Sequence, residues 1–522
     1  MTIPAPLALL LMLSPVVQGT PAAVAQAESV PAAAKSAEKA DKAKGNDGEA
    51  QKAAPPPVVT HHQARLVGKV LKYTVTTGLM PLKNEAGKTE AEVFFMAYVA
   101  DRTGGPGQRP LMFSFNGGPG SSSVWLHLGA LGPKRVKMLG DGGMPTAPYE
   151  LVDNESSWLD LTDLVFIDPV GTGYSRATKP EMGKKYWGLQ GDIESVGEFI
   201  RLYLSRYQRW TSPLFLVGES YGTTRAAGLA GEMVERSGVA FNGILLVSSI
   251  LNFQTARFTK GNDLPYPLFL PTYTATAWFH KRLDADLQQD LRRTLDEVEQ
   301  WAGRDYVLAL AKGDALADAE RREVIERLHR YTGLDREYID QTDLRIEIRR
   351  FCKELLRGEK RTVGRLDSRF KGIDASAAGE RIEFDPSLAA IRPPYTATFN
   401  DYVRRSLGYE SDLHYYILGG GIGPWDWGSA GEGFPDTSEA LRSAFSKNPG
   451  MRLFVASGYY DLATPYFATE YTLSHMGLDP SQRGRVTTAE YEAGHMMYIA
   501  ETELAKLKTD VTAFVQQALP AR

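Results

Sequence analysis

The sequence predicts an α/β protein: a mostly parallel central sheet with an inserted helical cap. Between residues 110 and 250, short buried runs alternate with helix-spaced segments, and the runs end in glycine-rich loops. From 253 to 445 that alternation stops and amphipathic helical repeats replace it. From 446 the strand pattern returns. One sheet interrupted by a long insertion accounts for the 522 residues without a second independent fold.

The elements follow in order. Residues 6 to 17, "PLALLLMLSPVV", form an apolar run with no Lys or Arg ahead of it, and Ala25-Gln26-Ala27 gives a small-x-small cleavage pattern. Residues 1–27 therefore read as a signal peptide, and the run is too short to span a bilayer. No other segment of the sequence reads as a membrane span. Residues 28–60, rich in Ala, Lys, Glu and Pro, read as a disordered linker. His61-His62 follows without a partner cluster and reads as solvated rather than metal-binding.

Residues 61–252 read as the first part of the core. "LVGKVLKYTVT" and "AEVFFMAYVA" are expected to be antiparallel strands, and "RPLMFSFNGG", "LTDLVFIDPVGTG" and "NGILLVSS" to be buried strands. "IESVGEFIRLYLSRY" has helical spacing, and "LFLVGESYGTTRAAG" reads as strand, tight turn and helix. Residues 253–445 are the expected cap, where Leu283, Leu287, Leu291, Leu295 and Val298 repeat at helical spacing. Leu344, Ile348, Phe351, Cys352 and Leu355 do the same, which puts Cys352 on an apolar helix face as a buried thiol. Residues 446–522 complete the core with "MRLFVASGYYD", a helix near 466–476, "RVTTAEYEAGH" and a closing amphipathic helix.

Composition excludes several classes. A formal net charge of -4 gives no basic surface for nucleic acid. One cysteine allows no intramolecular disulfide. No HExxH or other metal-ligand cluster appears, so neither metal nor organic cofactor is expected.

The chemistry lies at the strand ends, where ligands gather in such sheets. Gly218-Glu219-Ser220-Tyr221-Gly222 matches G-x-S-x-G, a strand-to-helix turn that projects a serine over the sheet edge. A serine hydroxyl needs an imidazole to take its proton and a carboxylate to hold that imidazole. Asp461 and His495, each just after a late strand, supply them in the chain order this architecture uses. His280, in a cap loop, and His329, within a cap helix, match no such position. An oxyanion needs backbone donors. Gly117 and Gly118 in "FNGGPGSSS" and the N–H of Tyr221 are the expected hole.

"NGGPGSSS", "LVFIDPVGTGYS", "GESYGTTRAAGLA", "LPTYTATAWFHK", "SGYYDLATP" and "EAGHMM", spread over roughly 90–510, resemble the serine carboxypeptidases, peptidase family S10. The resemblance implies an α/β-hydrolase fold and a triad of Ser220, Asp461 and His495. It also implies a pocket for a peptide's C-terminal carboxylate, contacted by Asn116 and Glu219. Glu219 would then have to be protonated, because two bare carboxylates repel, and peptide cleavage would have an acidic optimum. The sequence departs from the family at Ser121, usually Cys, at Ser114, often Trp, and at Ala130, often an acid. The last two positions belong to the carboxylate network of well-known members. The lack of disulfides sets the chain apart from eukaryotic members and suggests a bacterial type.

The resulting expectation is an exported serine carboxypeptidase, periplasmic or secreted, acting on peptides. The alternatives are an esterase or acyltransferase on the same triad, and a non-catalytic binding protein. Intact Ser220, Asp461 and His495 argue against the last. Tyr273, Trp278, Tyr395 and Trp425 are candidates for lining the side-chain pocket.

Overall fold

The computed structural model describes residues 55–66, 68–101, 109–428 and 433–520. The signal-peptide reading and the linker up to residue 54 lie outside the described residues. Among the described residues, the central sheet is built by β1 (Val58–Leu66), β2 (Lys69–Lys83), β3 (Thr89–Ala100), β4 (Leu111–Phe115), β5 (Asp163–Ile167), β6 (Leu214–Ser220), β7 (Gly243–Ser249), β8 (Arg452–Gly458) and β9 (Val486–Tyr491). Their order is β1-β2-β3-β5-β4-β6-β7-β8-β9, with a short piece at Arg176–Ala177 beside β3. The β1-β2 and β2-β3 pairs are antiparallel, β3 runs antiparallel to β5, and every pair from β5 to β9 is parallel.

The first elements differ from the sequence reading. β1 starts at Val58, inside the stretch read as linker, while the strand expected over 66–76 is found as β2 from Lys69 on, paired antiparallel with β1. His62 is a strand residue whose ring stacks on Tyr73 at 5.5 Å. β1 is an edge strand exposed on alternate residues, so its polar alternation resembles a solvated linker.

Side chains of the central strands alternate between two cores. Phe94, Met96 and Tyr98 of β3 face one layer, and Phe95 and Ala97 the other. The second layer is covered by α1 (Leu189–Arg206) and α2 (Tyr221–Arg236). β4, β5 and β7 are buried throughout because helices cover both faces, which is why they read as continuous apolar runs.

The insertion is helical. Pro265–Phe279, Leu291–Trp301, Asp318–Thr332 and Ile348–Glu354 pack around a core containing Tyr273, Leu328, Phe351 and Cys352, and a two-residue ribbon pairs Thr362–Val363 with Lys371–Gly372. α3 (Pro386–Arg405) buries Ile391, Tyr395, Phe399 and Tyr402 against the sheet's first layer. Asp385 caps it, accepting the Ser387 N–H. α4 (Ser438–Lys447) already packs with β6, β7 and α2 in the second layer, so the chain rejoins the core before residue 445. α5 (Glu501–Ala518) closes the first layer.

Among the described residues, no helix is long and apolar enough to cross a membrane, and no group of three or more His, Cys, Asp or Glu could hold a metal ion. Cys352 is 0 % exposed, and burial pushes its thiol well above the ordinary range. Mercurial or alkylating reagents are therefore expected to leave the native protein's activity unchanged. Rapid inactivation that disappears in Cys352→Ser would show the thiol to be accessible.

Candidate active site

β6 runs into α2 with no intervening loop, and Ser220 is the hinge. Its backbone sits at φ 59° and ψ -131°, a region that a residue with a Cβ rarely occupies. Gly218 makes the turn possible: a Cβ there would lie 2.1 Å from the Gly222 carbonyl oxygen. The strained residue is the one carrying the hydroxyl, and its side chain is only partly buried.

His495 and Asp461 meet in the loops after β9 and β8. His495 Nδ1 lies 2.7 Å from Asp461 Oδ2, and Asp461 is 0 % exposed. Asp461 also serves its own turn, accepting the Ala463 N–H at 2.8 Å, the Thr464 N–H at 3.1 Å and the Thr464 hydroxyl at 2.7 Å. Asp461 thus both closes this turn and faces the imidazole. Burial lowers the proton affinity of His495, but the charge and hydrogen bond of Asp461 outweigh it, and the imidazole ends above its usual value.

The main chain of His495 is held from two sides. Its N–H donates to the Leu366 carbonyl at 2.7 Å, and its carbonyl accepts the Ser248 hydroxyl at 2.6 Å. Ser248 precedes Ser249, which pairs with Ser220 across β6 and β7. The histidine loop is therefore seated over the strand next to the elbow.

The "NGGPG" loop follows β4, whose other neighbour is β6. A Cβ on Gly117 would sit 2.4 Å from the Tyr221 nitrogen, so the loop and the first turn of α2 are in direct contact. The Tyr221 N–H belongs to the first turn of a helix and has no intrahelical acceptor. Gly117, Gly118 and Tyr221 thus lie together beside the hydroxyl-bearing residue.

Asn116 and Glu219 are joined. Asn116 Nδ2 donates to Glu219 Oε1 at 2.9 Å, and the Tyr498 hydroxyl donates to Oε2 at 2.5 Å. Burial raises the Glu219 carboxyl to about 7, opposed by the nearby His495 charge and by these two donors, and reinforced by Asp461. A buried acid that is neutral below about 7 therefore stands immediately before the hydroxyl-bearing residue.

Sequence reasoning missed Tyr498, and it missed a buried ion pair beneath the elbow. Arg225 Nε donates to Asp192 Oδ2 at 2.8 Å and Arg225 Nη1 to the Asn116 carbonyl at 2.8 Å, while the Tyr221 hydroxyl donates to Asp192 Oδ2 at 3.0 Å. These bonds lock α1, α2 and the "NGGPG" loop together. The one available signal was Arg225 a single helical turn beyond Tyr221, on the face that must pack inward.

The departing positions are all buried. Ser121 Oγ accepts the Trp125 indole N–H at 2.8 Å. The Ser114 hydroxyl makes no hydrogen bond among the described residues, and the Ala130 carbonyl accepts Asn154 Nδ2 at 2.8 Å. Of the aromatic candidates, Tyr273 stacks on Phe351 at 4.1 Å within the cap core, and Trp278 packs there too. Trp425 meets the Tyr221 ring edge-on at 5.3 Å, and Tyr395 packs on Trp125 at 5.1 Å. Trp425 thus touches the residue after the elbow serine and Tyr395 lies beside Glu219, while Trp278 also packs against a cluster that includes Tyr460.

Residues 68–509 match the family described as serine carboxypeptidase. Serine carboxypeptidase-like 5 of Arabidopsis thaliana is 31% identical over 153 residues, which is 28% of this chain and 33% of that protein. The pheromone-processing carboxypeptidase KEX1 of Saccharomyces cerevisiae is 34% identical over 155 residues, 28% of this chain and 20% of that protein. The matched stretches thus span only a minor part of either relative's length. In fold, the chain is similar to the crystal structure of KEX1(delta)p, a prohormone-processing carboxypeptidase from Saccharomyces cerevisiae. That likeness has 17% identity, covers 85% of this chain and 91% of the other, and has a TM-score of 0.51.

Proposed function

The chain belongs to the serine carboxypeptidase family, and from that premise we propose that it hydrolyses C-terminal residues from peptides through an acyl-enzyme on Ser220. His495, held by Asp461, takes the serine proton and returns it to the leaving amine. The amides of Gly117, Gly118 and Tyr221 receive the oxyanion. No cofactor enters any of these steps.

The observation that carries the choice of substrate is the Asn116–Glu219 pair. A serine hydrolase in general has no need of a buried neutral acid next to its nucleophile. A site that must accept a carboxylate does, because a neutral acid can donate to an anion while a carboxylate would repel it. Mass-spectrometric digestion of a peptide library is expected to show trimming only from the C-terminus, and none of C-terminally amidated peptides. Equal cleavage of free and amidated peptides would remove the carboxylate from the reading.

An esterase or acyltransferase on the same triad is the second reading. It is favoured by Ser114 and Ala130, which bring a lone hydroxyl and a methyl where relatives often carry groups that bind the carboxylate. A methyl ester turned over well while the matching acid is not would move this reading ahead. Export to the periplasm or medium is proposed from the leader over 1–27, and a mature protein starting at Glu28 would support it.

A further inference from the structure

We propose that Tyr498 is a third member of the carboxylate-recognition site, its hydroxyl acting in series with the Glu219 proton. The inference rests on the carboxypeptidase reading above. It begins with Asn116, whose Oδ1 accepts the Leu126 N–H at 3.1 Å. That bond fixes the amide orientation, so the group facing Glu219 Oε1 is the NH2, which can only donate. When Glu219 is neutral, its proton therefore resides on Oε2.

Oε2 is the oxygen that faces the Tyr498 hydroxyl at 2.5 Å. A phenol both donates and accepts. The hydroxyl can take the acid's hydrogen bond and turn its own hydrogen to a substrate carboxylate. Alternatively it donates to Oε2 while the Glu219 proton turns to the substrate. Either way the two groups present a hydrogen to an anion, and each arrangement strengthens the donor in front of it.

The seat of the phenol is specific. Tyr498 lies in the short helix Met497–Ile499, just beyond His495, and is 2 % exposed. Its ring presses against Gly129, where a Cβ would lie 2.4 Å from Cε2. Burial and the Glu219 charge hold the phenol far above its ordinary value, so it keeps its hydrogen wherever Glu219 titrates. The titratable groups that bear on Glu219 are His495, Asp461, Tyr498 and Tyr395.

Tyr498→Phe removes one oxygen and tests this. For a blocked dipeptide with a free carboxylate, KM at pH 6 is expected to rise about tenfold. KM for the methyl ester of the same peptide is expected to stay put. The pH at which KM for the acid begins to climb is expected to move upward, because losing a donor to Oε2 makes Glu219 hold its proton more tightly. In a Glu219→Gln background the same substitution should cost less, since the pair acts as a unit. A Tyr498→Phe enzyme with wild-type Tm, unchanged KM and an unmoved pH limb overturns the proposal.

If the variant misfolds, difference infrared spectra of wild-type enzyme with ring-labelled tyrosine read the same contact. Adding a blocked amino acid with a free carboxylate should shift one phenol C–O stretch, and no shift overturns the proposal. The two failures are separable. If the wild-type enzyme handles acid and ester alike, the carboxypeptidase reading falls and takes Tyr498 with it. If it prefers the acid but Tyr498→Phe behaves as wild type, only the role of Tyr498 falls.

Discussion

Ser220→Ala and His495→Ala are each expected to lower kcat by about four to six orders of magnitude, leaving only what the oxyanion donors and binding supply. Either substitution leaves no nucleophile–base pair, so the double variant should be little worse than either single one. Asp461→Asn should cost about four orders of magnitude for a different reason. Asn can still accept the Ala463 and Thr464 N–H groups through one oxygen, which preserves the turn. Its NH2 would then face Nδ1 across the 2.7 Å contact and force the imidazole into the tautomer that cannot accept the serine proton. Wild-type Tm with lost turnover would match that account. Near-wild-type activity in Ser220→Ala would end the assignment.

Above about pH 7, KM for peptides with a free carboxylate is expected to climb about tenfold per pH unit, reaching about a hundredfold two units higher. The sign follows from Glu219. The group raised to about 7 is an acid, so it is neutral and donating below that pH and charged and repelling above it. In the proposed mechanism the acid limb is assigned to His495, which would have to be neutral to act as a base and which lies above its usual value. Both limbs therefore sit higher than the sequence suggests, and the acidic optimum expected there moves toward neutrality. Glu219→Gln keeps a donor at every pH and should abolish the alkaline rise. It should leave the acid limb where it is, because Glu219 is already neutral there. Steady-state kinetics on matched acid and ester substrates from pH 5 to 9 would check both limbs. An alkaline rise that persists in Glu219→Gln would assign it to another group.

What the sequence reveals here depends on range. Strands β4, β5, β6 and β7 are legible because each is a short apolar run closed by glycines, a local signal. The elbow is legible because its glycines are a steric requirement of the turn. The meeting of Asp461 with His495 is legible through chain order. β1 was not, since an edge strand with alternate exposure has the composition of a linker. α3 runs on through Pro393 and Pro394, which a local reading treats as breakers, because burying Ile391, Tyr395 and Phe399 outweighs the lost backbone bonds. Arg225 and Asp192 are far apart in sequence and identify each other only in space. Tyr498 looks like one more apolar residue in "HMMYIA" until Glu219 is seen against it.

The position of β8 beside β7 has a consequence for biosynthesis. The two strands are hydrogen-bonded neighbours, yet the whole insertion is translated between them. A ribosome that has finished the elbow has made Ser220 before either His495 or Asp461, the two partners proposed for it. On the proposed mechanism the nascent chain therefore has no hydrolytic activity until β9 and the loop after it have emerged. Folding must close that long gap before the sheet is complete, so on the proposed mechanism activity waits for the last elements of the core.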